Sequence, residues 1–109
     1  MTANQNLSMI RGDTFTFDVA FSEMEDATIS SIYFTVKRRA TDEANILQKS
    51  LADGIKQIDD MTYRIRVAPE DTSGVTAGKY VYDLQIGLGD DIYTLLMGVI
   101  MIAQDVTDN

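Results

Sequence analysis

Residues 80–88 alternate without a break. Tyr80, Tyr82, Leu84, Ile86 and Leu88 take one side, and Val81, Asp83, Gln85 and Gly87 the other. A period of two is the pitch of an extended strand, whose successive side chains point to opposite faces; a helix would need apolar residues every 3.6 positions. The turn Gly89-Asp90-Asp91 follows, and then the long apolar run 95–103. Two long strands joined by a tight turn fix an antiparallel hairpin as the centre of the fold.

The same period recurs along the chain. Phe15, Phe17, Val19 and Phe21 alternate with polar or small residues and give a strand with an aromatic inner face. Ile32, Phe34 and Val36 do the same in the next strand, beyond an acidic loop at 22–28. A weaker strand at 46–51 sits at an edge, followed by the turn dipeptide Asp53-Gly54 and a short extended piece at 55–58. Tyr63, Ile65 and Val67 form a further inner row, which Pro69 ends because it has no N–H for a ladder. A single helical turn is expected within 70–75. Short strands with turn signals every 8–12 residues or so define an all-β, Ig-like antiparallel β-sandwich of about seven strands. The expected organisation is a flexible N-terminal arm over 1–6 and one sandwich domain over 7–107.

Composition excludes several function classes. The 109 residues contain neither Cys nor His. Disulfides, thiolate metal sites and Ser-His or Cys-His nucleophile systems are therefore impossible. The net charge of −8 opposes nucleic acid and anionic membranes as partners. The longest apolar run is less than half the roughly 20 residues of a spanning helix. Residues 1–13 lack a basic stretch leading into an apolar one, so no secretory leader is expected there, and synthesis in a cytoplasm is.

Gly78-Lys79-Tyr80-Val81-Tyr82 has the layout of a tyrosine corner, with Tyr82 where an immunoglobulin Cys would stand. Asp71 and Thr72 just upstream would cap the preceding loop through their short polar side chains. Asp59-Asp60 and Asp90-Asp91 lack the spacing of a calcium loop and read as turns, so no metal, cofactor or catalytic residue is expected. Arg11-Gly12-Asp13 spells an adhesive tripeptide, but its place before a strand reads as a turn. Tyr33 and Tyr93 are the two aromatics expected outside the core. They are the basis for an alternative reading as a carbohydrate-binding or adhesion module.

The last strand is apolar on both faces. Leu95, Met97, Val99 and Met101 form one row, and Leu96, Ile100 and Ile102, with Gly98 among them, form the other. A two-sheet sandwich covers one face of each sheet, so one row needs another cover. The first row is expected in the core. Leu96, Ile100 and Ile102 are then the candidate protein interface, and self-association is the expected use. Cover by the arm or a loop is the alternative, and a bulge near Gly98 would exchange the two rows.

The order of phrases along the chain resembles a known family. Ile10-Arg11-Gly12-Asp13-Thr14 opens a strand, followed by Phe34-Thr35-Val36-Lys37, Gly54-Ile55 and Pro69-Glu70-Asp71-Thr72. Residues 77–85, AGKYVYDLQ, and Asp105-Val106-Thr107 complete it. Together they resemble the small β-sandwich structural proteins of tailed bacteriophages, and in particular the N-terminal domain of baseplate upper proteins. The resemblance implies a non-enzymatic virion structural protein, a tail, baseplate or neck component, made in the bacterial host cytoplasm. It also implies a homo-oligomer that contacts other virion proteins. The family's long helical regions have no counterpart in these residues, which leaves a capsid-surface decoration protein as an alternative.

Overall fold

The computed structural model describes residues 3–20, 29–59 and 62–106. Nine strands and one helical turn follow in the order β1 (Ala3–Asn4), β2 (Leu7–Ile10), β3 (Phe15–Ala20), β4 (Ser31–Lys37), β5 (Leu47–Ser50), β6 (Ile55–Asp59), β7 (Thr62–Val67), α1 (Pro69–Thr72), β8 (Gly78–Leu88) and β9 (Asp91–Ala103). They form two sheets. The larger runs β1-β9-β8-β4-β5, with β2 also on β9, and the smaller runs β3-β7-β6.

This is an Ig-like β-sandwich. The smaller sheet holds the strands equivalent to B, E and D, and the larger holds G, F, C and an added C′, as in variable-type domains. β3 to β9 are the seven expected strands. Residues 21–28, which carry Phe21 and the acidic loop, lie outside the described residues, as do 60–61 and 107–109.

The expected arm is corrected at residues 3–6. β1 and β2 lie end to end along β9 and pair with it in parallel, Ala3 opposite Leu96 and Leu7 opposite Ile100. Between them Gln5 N donates to the Met97 carbonyl at 3.0 Å, and the Asn6 side-chain oxygen accepts from Val99 N. Alternation was too weak at 1–6 to show that this segment completes the edge of the sheet.

The core lies between the sheets and is built from the alternating rows. Ile32, Phe34 and Val36 of β4, Ile65 and Val67 of β7, and Tyr80, Tyr82, Leu84 and Ile86 of β8 are all buried. Where immunoglobulin domains place a Trp against an inter-sheet disulfide, this chain uses aromatics. The ring of Phe17 on the smaller sheet meets Phe34 on the larger edge-on at 5.3 Å, and Phe34 meets Tyr82 at 5.6 Å. Such pairs contribute about 0.5–1.5 kcal/mol each beyond area burial. The Phe17–Phe34 pair ties the two sheets together without a covalent bond, and Phe34–Tyr82 extends it within the larger sheet.

Candidate functional site

The two rows of β9 are exchanged relative to the expectation. Ile100 and Ile102 are each only 1% exposed and Leu96 packs against the core, whereas Met97 and Met101 are 46% and 45% exposed. Leu96, Ile100 and Ile102 are therefore core residues, not an interface. The cause is a bulge. Leu84 pairs with Leu96 but Gln85 pairs with Thr94, so Leu95 is the extra residue and the parity of β9 shifts there. Two consecutive residues, Leu95 and Leu96, can then both pack inward. The chemistry of the rows agrees. Stiff β-branched Ile100 and Ile102 fill the core, and flexible Met97 and Met101 remain outside.

The outward row lies on the broad face of the larger sheet. Met97, Val99 and Met101 stand beside Asp83, Val81 and Lys79 of β8 respectively. Thr35 and Lys37 of β4 continue the face beyond Asp83 and Val81. A shallow groove of about 510 Å³ crosses it, lined by residues that include Lys37, Gln48, Val81, Asp83, Met97 and Val99. Although the chain carries a net charge of −8, this face holds Lys37 and Lys79 against Asp83. Partial burial pushes the Asp83 carboxyl above its ordinary value, and Lys37 pulls the other way. A carboxylate half withdrawn from water beside apolar Met97 has unmet solvation that a facing cation would satisfy.

The Tyr80 hydroxyl donates to the Thr76 carbonyl four residues upstream, the geometry of a tyrosine corner. Tyr82 reaches across β9 and donates to the Gln5 carbonyl; burial raises its pKa. Asp71 accepts from Ala68 N at 2.7 Å and so closes the first turn of α1. Thr72 does not cap its own loop. Its hydroxyl, fully buried, accepts from Gly12 N at 2.8 Å, which ties α1 to the turn before β3.

Two ion pairs near the corner were not legible in the sequence. Lys49 points inward from β5, is only 6% exposed, and pairs with Asp71 at 2.7 Å. Its alternation with Leu47 places it on the inner face, but no local signal names its partner 22 residues on. Arg11 pairs with Asp105 at 2.9 Å and also donates to the Val75 carbonyl. The Arg11-Gly12-Asp13 tripeptide thus has its cation engaged, and Gly12 takes a φ of 81° in the turn.

Tyr33 and Tyr93 are both exposed. The register separates them. Tyr33 lies on the outer face opposite Gln85, whereas Tyr93 is opposite Ile86, whose side chain enters the core. They do not form one aromatic platform. Among the described residues no group of three or more acidic side chains is arranged to hold a metal ion. No helix of the described residues is long and apolar enough to cross a membrane.

No protein-family model matches the chain, and no curated protein matches it. Solved structures with a similar chain path include the extracellular domain of the voltage-gated sodium channel beta4 subunit, described as a parallel homodimer with a role in cell-cell adhesion. It has a TM-score of 0.49 at 10% identity, over 94% of this chain and 93% of that one. Tim-1 has a TM-score of 0.47 at 7% identity over 100% of both chains, and murine CRIg 0.44 at 8% over 93% and 92%. The Ig-like assignment rests on the strand order of this chain itself.

Proposed function

We propose that this chain is a non-enzymatic interaction domain that associates with copies of itself through the outer face of its larger sheet. The observation that carries the reading is the outward apolar row of exposed Met97 and Met101 with half-buried Val99 between them, on a sheet whose other face is already the core. Lys37 and Asp83 stand diagonally on that face. In a two-fold dimer the same patch meets itself, so each Lys37 can approach the other copy's Asp83. The contact joins apolar burial to charge pairing and needs no ligand.

The finer reading is a virion structural component of a tailed bacteriophage, in a tail, baseplate or neck, that packs in many copies and also contacts other virion proteins. It is supported by the ordered phrases from Ile10 to Thr107 and by a domain built to be covered. A decoration protein on the capsid surface uses the same face. Detection of the chain by mass spectrometry in purified particles tests the virion reading; consistent absence from particles made by a host that expresses it contradicts it.

The association itself is tested by hydrogen exchange across a dilution series. Amides of 81–85 and 97–101 are expected to gain protection as concentration rises. Protection that does not depend on concentration contradicts self-association at this face.

A further inference from the structure

We propose a second contact between copies, edge to edge, in which β3 pairs with β3 of another copy about a two-fold axis at Phe17. It stands on the edge of the smaller sheet, not on the face of the larger one.

β3 is the terminal strand of its sheet, and among the described residues nothing pairs with its far edge. In constant-type immunoglobulin sandwiches strand A lies there. Here the N-terminal segment pairs with β9 instead. The core shows the gap. Tyr63, Ile65 and Val67 on neighbouring β7 are buried, but Phe15, Phe17 and Val19, on the same inner row, are only half-buried.

The other sheet edges carry devices against pairing. β6 has a register shift between Gln57 and Asp59 and an outward Lys56, β5 is four residues long, and the β1–β2 edge is interrupted at Gln5 and Asn6. β3 has six residues in unbroken register, with no Pro, Lys or bulge. Such an edge is a template for another strand.

Its sequence is complementary to itself. In an antiparallel pair, inner residues must face inner residues. Centred on Phe17, the pairing sets Phe17 against Phe17 of the other copy, Phe15 against Val19, and Thr16 against Asp18. Moving the axis one residue to Asp18 would set the two Asp18 carboxylates directly opposite each other. The outer face supports the first register. Asp18 is paired with Arg64 at 2.8 Å, and Thr16 has Arg66 as its neighbour on β7. The row across the junction then reads Arg64, Asp18, Thr16, Arg66, and Arg66 can reach over the small Thr16 towards the incoming Asp18. The occupant is therefore a second copy of this chain. Used with the face contact, two different two-fold contacts per chain build an assembly larger than a dimer.

Disulfide mapping tests the register. The chain has no Cys, so introduced thiols are the only ones present. Thr16 and Asp18 are exposed, and Thr16→Cys and Asp18→Cys leave the core intact. Directly opposed Cα atoms in an antiparallel pair lie about 4.5–5.5 Å apart, within disulfide reach, whereas positions two residues out of step exceed the roughly 7 Å limit. Mild oxidation of a mixture of the two variants is expected to give several-fold more covalent dimer than either variant alone. The excess should persist when Met97→Asp is added to both. Cross-linking that is absent from the mixture, or equal in all three samples, overturns the β3 contact. If the excess is present but the face contact fails its own test, the edge contact stands alone.

Discussion

Tyr82 and Gly98 face each other across the β8–β9 ladder, and the side chain that Gly98 lacks is replaced by the main chain of Gln5. A Cβ at Gly98 would lie 2.4 Å from the Gln5 carbonyl oxygen, the same oxygen that accepts the Tyr82 hydroxyl. One glycine thus lets the N-terminal segment bend inward between β1 and β2, and one tyrosine holds it there.

Gly98→Ala is expected to displace that segment. Overpacking of this kind costs about 1–3 kcal/mol, and Tyr82→Phe, which removes one hydrogen bond, costs about 1 kcal/mol. Urea titration measures both. Exchange of the Gln5 amide, which donates to Met97, should accelerate in Gly98→Ala. Gly74→Ala is the control, because a Cβ at Gly74 meets nothing within 4 Å. Unchanged exchange at Gln5 would show that the close approach does not constrain the segment.

Lys49 and Asp71 are expected to respond unequally to truncation. Asp71→Ala leaves the buried ammonium of Lys49 without its near partner and opens the first turn of α1. Removing one partner of a buried pair costs about 3 kcal/mol, and the exposed Asp53, 3.6 Å from the Lys49 ammonium, offsets only part of that. Lys49→Met leaves Asp71 partly in water and still accepting from Ala68 N, so its loss should be the smaller one, about 1 kcal/mol. Equal losses in the two variants, read from urea midpoints, would contradict this asymmetry.

Two carboxylates set opposite pH trends. Asp83 has a raised pKa in the folded chain, mainly from burial. Its folded form holds its proton more tightly than the unfolded chain does, so its contribution is greatest at low pH and is lost as pH rises through the folded value. Asp18 has a lowered pKa because of its hydrogen bonds to Arg64. Its contribution is present above the unfolded value and disappears as pH falls through the folded one. In dilute protein, Asp83→Asn should therefore be more stable than the parent near neutrality and converge with it below the ordinary carboxylate range. A gap that widens on acidification would reverse the assignment.

The parts of the fold legible in sequence are those where burial alone decides. The rows of β4, β7 and β8 were fixed by period two because each strand has one apolar and one mixed face. The corner at Tyr80 was legible because its bond is local, only four residues back. β9 was not, because an all-apolar strand satisfies either parity and the deciding event is the bulge at Leu95, set by pairing with β8. The useful signal was residue shape: Ile100 and Ile102 in one row, Met97 and Met101 in the other. Thr72 and Lys49 were missed for a different reason. Their partners, Gly12 and Asp71, are distant in sequence and meet only once the sheets have packed.

In the proposed dimer the outer face of β8 and β9 meets the same face of a second copy. Sedimentation equilibrium of Met97→Asp with Met101→Asp, beside the parent chain, tests it most directly. The parent is expected to show a mass that rises with concentration above the 12.1 kDa of one chain. The double variant should keep its fold and lose the rise due to the face contact, while Ile100→Asp, a core substitution, should unfold. A parent that stays at the single-chain mass throughout, or a double variant that associates as strongly as the parent, would contradict the account.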